Sequence, residues 1–135
     1  MNIMSETVAS IVAGERKVRR ATVLGGRVTW LGETYRPFLN TAGIDYVHLD
    51  IERQVAVERL IEEIKLCGAA DPGRVSDMII DAARQSDADC VILGCTEFGC
   101  VDVNDFNFKV ADSSHELALS VVKRAANFRC DVVQN

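Results

Sequence analysis

Apolar positions along this chain fall into two alternating rhythms: short unbroken runs and longer stripes at helical spacing. Met4, Val8, Ile11 and Val12 recur three or four residues apart and predict a helix, with Ser5 and Thr7 as its caps and Gly14 as its stop. Ala21-Thr22-Val23-Leu24, closed by Gly25-Gly26, has the continuous apolar character of a buried parallel strand. A second helix is expected from about Trp30 to Ala42, with a kink or a late start at Pro37 and a stop at Gly43. Asp45 to Leu49 reads as the second strand. Val57, Leu60, Ile61, Ile64 and Cys67 then form the stripe of a long helix whose other face is charged.

Asp71-Pro72 is a start signal, an oxygen acceptor followed by a proline already set for the first turn. The helix it opens buries Val75, Met78, Ile79, Ala82 and Ala83. Cys90-Val91-Ile92-Leu93 is the clearest strand and runs into Gly94-Cys95-Thr96-Glu97. Phe106, Phe108 and Val110 alternate with polar residues and predict a fourth strand at an edge. Ser113 with Glu116 three residues later reads as a capping box for a last helix through Leu117, Val121, Val122 and Ala125. Asp112 offers a simpler cap for the same helix.

Strands alternating with helices imply right-handed crossovers, and so an α/β three-layer sandwich around a mainly parallel, four-stranded sheet, with the order 2-1-3-4 expected as in flavodoxin-like sheets. The 135 residues suit one domain, spanning 1-135, of radius of gyration roughly 14 Å. No apolar run approaches the ~20 residues of a membrane span. The start of the chain lacks the basic and apolar regions of a secretory signal, so a cytoplasmic location is expected.

A net charge of −5 argues against nucleic acid as the main partner, because phosphate binding draws on a basic surface. Arg16, Lys17, Arg19 and Arg20 read as a solvated turn. The five cysteines form no CxxC pair and fit free thiols in a reducing compartment. His48 and His115 are too isolated to build a zinc site with them. Cys67 and Cys90 read as packing residues, Cys130 as part of a frayed tail, and Cys100 as a loop residue within reach of a site. His48 reads as structural, His115 as a first-turn residue at the border of the crevice, and Trp30 and Tyr35 as packing residues, Trp30 being close enough to the first loop to line a pocket.

In a 2-1-3-4 sheet the strand order reverses between the first and third strands, and ligands settle outside the carboxyl ends there. The loop Gly25-Gly26-Arg27-Val28-Thr29 is therefore expected to face the loop Gly94 to Cys100. Glycine permits close approach, Arg27 and Thr29 offer donors to an anion, and Cys95 places a thiol at a strand tip. The glycine pair has neither Walker nor dinucleotide spacing, so a small carboxylate is an easier guest than a nucleotide.

Ala88 to Glu97, followed by Val110-Ala111-Asp112-Ser113-Ser114, resembles the second half of the aspartate/glutamate racemase superfamily. Val23 to Thr29 is similar to that family's glycine/threonine loop, and Tyr35, Leu39 and Gly43-Ile44 to the helix and strand after it. Glu97 following Thr96 resembles the aspartate branch; the glutamate branch has His there. The resemblance implies Cys95 as the second-lobe catalytic cysteine, with Thr96 holding the substrate carboxylate and Glu97, Gly25, Gly26, Arg27 and Thr29 completing the shell. It implies no pyridoxal phosphate, no other cofactor and no metal.

The family's other cysteine belongs to a first lobe, which is expected to precede Met1 and is missing here. Gly26 stands where the family often has Thr, and Leu117 where it often has His. Three readings follow. The first is a cofactor-independent isomerase of a small acidic amino acid. The second is a non-catalytic lobe that binds a carboxylate or docks to a first-lobe partner, and the third is a remnant with the fold alone. The first and last helices are expected to expose apolar stripes that a homodimer or a first lobe would cover.

Overall fold

The computed structural model describes residues 2–134. The chain runs α1 (Ile3–Ala13), β1 (Arg20–Leu24), α2 (Arg27–Gly32), α3 (Arg36–Thr41), β2 (Asp45–Tyr46), α4 (Ile51–Cys67), α5 (Pro72–Ser86), β3 (Cys90–Leu93), β4 (Lys109–Asp112) and α6 (Ser113–Gln134). The four strands form one sheet of order β2-β1-β3-β4, and every neighbouring pair is parallel. This is the predicted α/β topology.

Alternation along the strands feeds two cores. Leu24, Val91, Leu93 and Val110 point to one face, where Val57, Leu60 and Ile61 of α4 and Val75 and Ile79 of α5 meet them. Ala21, Val23, Cys90, Ile92 and Ala111 point to the other, against Val8 and Ile11 of α1 and Leu39 of α3. The long helix α6 lies antiparallel to α1: Glu6 accepts from Ser120 and Arg124, and Ser10 donates to Glu116.

Several local expectations are corrected. The cap of α1 is Asn2, whose side chain accepts from the amides of Met4 and Ser5; Ser5 and Thr7 lie inside the helix and donate to main-chain oxygens. The helix expected over 30–42 is two helices. It begins earlier, at Arg27, and breaks at Glu33, which adopts the left-handed conformation (φ 46°). Pro37 sits in the first turn of α3, where its missing N–H costs nothing.

Only Asp45 and Tyr46 pair with β1, because the chain turns away once Val47 has donated to Ala21 and accepted from Thr22 Oγ1. β4 begins at Lys109, so Phe106 and Phe108 precede the ladder, with their rings 5.4 Å apart. The capping box of α6 does not form. Asp112 Oδ1 accepts from the amides of Ser114 and His115 instead. Ser113 is buried and hydrogen-bonded to the Tyr35 hydroxyl at 2.7 Å.

Candidate functional site

β1 and β3 are direct neighbours, with Leu24 opposite Leu93, so the loops leaving their carboxyl ends start side by side. Gly94 donates its amide to the Leu24 carbonyl at 2.8 Å. A Cβ on Gly94 would stand 3.2 Å from Val23 Cγ1 and 3.4 Å from the Leu24 oxygen, so a side chain there would press on Val23 and the close approach of the two strands favours glycine.

Cys95 follows, at the start of a short 3-10 turn spanning Thr96–Phe98. Phe98 is fully buried and anchors that turn in the core. The half-buried Cys95 thiol donates to the Glu97 carboxylate, and Thr96 Oγ1 donates to the same carboxylate oxygen at 3.3 Å. Lys65 Nζ from α4 approaches the other oxygen at 3.6 Å. Burial, then the hydrogen bond to Glu97, push the Cys95 thiol up to about 11, with Lys65 opposing. The same thiol, with help from Lys65, holds Glu97 below the usual carboxylate range. At neutral pH this pair is therefore a thiol facing a carboxylate, with the proton on sulfur.

The β1 loop is held separately. Gly25 is packed on Thr29, whose Cγ2 would lie 3.1 Å from a Cβ at position 25. The fully buried Gln54 of α4 donates Nε2 to the Gly25 carbonyl at 3.0 Å. Arg27 turns toward α4, with Nε 2.8 Å from Glu58 Oε1. Trp30 donates to the Leu49 carbonyl at 2.7 Å and stacks on His48 with ring centroids 4.6 Å apart. A groove of about 310 Å³ opens between this loop and α4, lined by Gly26, Arg27, Glu58, Ile61, Glu62 and Lys65.

The predicted residues thus fall into two groups, Cys95, Thr96 and Glu97 on one side and Gly25, Gly26, Arg27 and Thr29 on the other. Cys95 does not line the groove; its link to it runs through Glu97 and Lys65. His115 borders a different cleft of about 280 Å³, shared with Gly99, Asp102, Asn104 and Asp112, while Cys100 is exposed. Among the described residues, no group of three or more His, Cys, Asp or Glu converges as a metal would require.

Sequence reasoning missed the three α4 residues that brace both loops, Gln54, Glu58 and Lys65. Gln54 carried a readable signal, since it sits three residues before Val57 in the phase of the apolar stripe. The Lys65–Glu97 contact spans 32 residues and left none.

No family profile and no curated protein matches the chain. Solved structures do. An aspartate racemase homologue from Pyrococcus horikoshii OT3 aligns with a TM-score of 0.77 at 24% identity, over 93% of this chain and 56% of that one. A candidate Asp/Glu racemase from Yersinia pestis aligns at 0.74 and 24%, over 93% and 55%. The aspartate racemase of Picrophilus torridus aligns at 0.70 and 21%, over 93% and 52%. The likeness is one of fold. This chain shares its architecture with part of each of these proteins and spans just over half the length of each.

Proposed function

We propose that the chain is the Cys95-bearing lobe of a cofactor-independent amino-acid isomerase of the racemase type, acting on a small acidic amino acid by proton transfer at Cα. The observation that carries this reading is the Cys95–Glu97 pair at the carboxyl end of β3, beside the β1 loop, in a fold shared with aspartate racemases. With its proton on sulfur, Cys95 is the acid of the exchange. The S–H bond breaks, a Cα–H bond forms on the substrate carbanion, and a thiolate remains; in the other direction that thiolate takes the Cα proton. A thiol pushed up to about 11 yields a strong base once ionised, as abstraction from so weak a carbon acid demands.

Thr96 and the Gly25–Thr29 loop supply donors to the substrate carboxylates, Lys65 and Arg27 supply positive charge, and Glu97 tunes the thiol. Inversion needs a second acid–base group on the opposite face, which a first lobe or a second copy would provide. The test is deuterium incorporation from solvent at Cα of aspartate and glutamate, followed by proton NMR. Incorporation that disappears in Cys95→Ser is expected. No incorporation by the wild type, with ligand binding unchanged in Cys95→Ser, overturns the reading.

A second reading, a lobe that binds a carboxylate or docks to a partner without catalysis, is favoured by the outer face of α6. Every residue from Val121 to Cys130 is exposed, Val122 by 65% and Phe128 by 70%, with Val12 of α1 exposed by 60%. Such a face is what a homodimer or a first-lobe chain would cover. Among the described residues no helix is long and apolar enough to cross a membrane.

A further inference from the structure

The short helix α2, which continues the β1 loop, buries none of its six residues, and Val28 and Leu31 are exposed by 82% and 65%. Core burial therefore contributes little to holding it. Its ties are side chains: Arg27 to Glu58, and the partly buried Trp30 to the Leu49 carbonyl and the His48 ring. It ends at Glu33, in the left-handed conformation that a residue with a Cβ adopts only at a cost.

Glu33 and His48 meet at that end. Arg36 Nε is 3.0 Å from Glu33 Oε2, and His48 Nδ1 is 3.5 Å from Glu33 Oε1. The same Nδ1 is 3.1 Å from the Tyr46 hydroxyl. Burial, then the Glu33 carboxylate, push that hydroxyl up to about 12, so it keeps its proton near neutrality. One ring nitrogen thus faces both a donor and an anion. When Nε2 carries the only ring proton, Nδ1 accepts from Tyr46 and offers Glu33 nothing. In the charged imidazole both nitrogens carry protons, and Nδ1–H donates to Glu33 while the Tyr46 hydroxyl turns its proton away.

The other charges nearby are largely spent on each other. Arg36, 5.1 Å from the centre of the Tyr46 ring, opposes a second cation but is itself paired with Glu33. Arg27 stands 6.0 Å from the centre of the Trp30 ring and is paired with Glu58. Asp50 and Arg53 of α4 share a cleft with His48 and pair at 2.7 Å, with Asp81 of α5 on the same arginine. The stacked face of Trp30 favours a charged imidazole.

We infer that His48 is a proton-operated clasp on α2: on gaining a proton its Nδ1 passes from the Tyr46 hydroxyl to Glu33, and the turn that ends α2 is then held by both carboxylate oxygens. The His48 side chain is 34% exposed and takes its proton from solvent. Gly26 and Arg27, at the start of α2, line the groove beside α4, so one wall of that groove is held more firmly in mild acid. The clasp works whatever the groove binds.

Trp30 is the only tryptophan of the chain, so its emission reports the charge of the ring stacked on it. Imidazole is the side chain whose ordinary titration falls between about pH 5 and 8. Emission is recorded over that range. Hydrogen exchange of the amides of residues 29–33 is measured at about pH 5.5 and 7.5, with the intrinsic rate divided out. The proteins are the wild type, His48→Phe, Glu33→Gln and His115→Gln. The wild type should show one step in emission and about threefold greater protection in acid, the worth of one partly exposed ion pair. His48→Phe keeps an aromatic ring on Trp30 and should lose both the step and the gain in protection. Glu33→Gln should keep the step and lose the gain, and this arm stands even where His48→Phe fails to fold. His115→Gln should keep both. No step in the wild type, a step that survives His48→Phe, equal protection at the two pH values, or an undiminished gain in Glu33→Gln overturns the inference.

Discussion

The thiol of Cys95 gives its hydrogen bond to the carboxylate of Glu97, two residues further along the same turn. The bond stabilises the protonated sulfur and the ionised carboxylate together, so each group moves the other away from its ordinary range in the opposite sense. Lys65 acts on both, favouring the two anions.

Replacing Glu97 by Gln removes the anion next to the sulfur. The Cys95 thiol should then ionise below its present value of about 11, while burial still keeps it above the ordinary thiol range. Lys65→Met should shift it upward, because the cation that favours the thiolate is gone. The pH dependence of alkylation at Cys95, followed by peptide mapping, measures both shifts. Identical profiles for wild type and Glu97→Gln would show that the pair does not set the thiol.

Stability should decline in alkali. Burial pushes the Cys90 thiol up to about 12 and contributes most to raising Cys95 to about 11. An acid whose folded-state pKa is raised keeps a proton that the unfolded chain releases. Its contribution is complete below about pH 8.5 and is lost as pH climbs toward the folded values. Urea midpoints should therefore fall between about pH 9 and pH 11. Relative to its own value at pH 7, Cys90→Ala should fall less steeply than the wild type.

Gln54 separates hydrogen bonding from packing. Gln54→Leu strands the Gly25 carbonyl but also removes an oxygen that had no partner, so the two effects offset and stability should change by less than about 1 kcal/mol. Gln54→Ala adds a cavity and should cost about 2–3 kcal/mol. Denaturant titration distinguishes them. Equal costs would mean that loss of the amide hydrogen bond, and not the cavity, destabilises both variants.

Val122→Asp and Phe128→Asp alter exposed positions of α6 and should leave the melting temperature nearly unchanged, within about 0.5 kcal/mol of stability. If this face is self-complementary, both should lower the sedimentation coefficient of the wild type toward that of a monomer. A wild type that sediments as a monomer at every concentration would exclude the homodimer.

Much of the fold is legible because parallel strands buried on both faces become unbroken apolar runs. Val91, Ile92 and Leu93 had to be strand, and the order 2-1-3-4, expected by likeness to flavodoxin-like sheets, is the one observed. The errors occur where local chemistry competes. Phe106 and Phe108 are apolar but pair with each other ahead of the ladder. Asp112 stands one residue before Ser113 and takes the capping role first. Glu33 carries the left-handed turn that divides α2 from α3 without the glycine or asparagine that would have announced it. At the site, Cys95, Thr96 and the glycines were readable from their places at strand ends. Their supports on α4 were not, because contacts between residues 32 apart, such as Lys65 and Glu97, leave no trace in local spacing.

Gln54, Glu58 and Lys65 project from a single rod, over twelve residues or about 16 Å of helix, and each grips a different point on the rim of the cleft. The two loops are consequently not free to drift apart in design or descent. A small roll or slide of α4 would re-aim the anion donors and the sulfur at once, and a substitution deep in its apolar seam could retune the chemistry without touching a residue that meets the ligand.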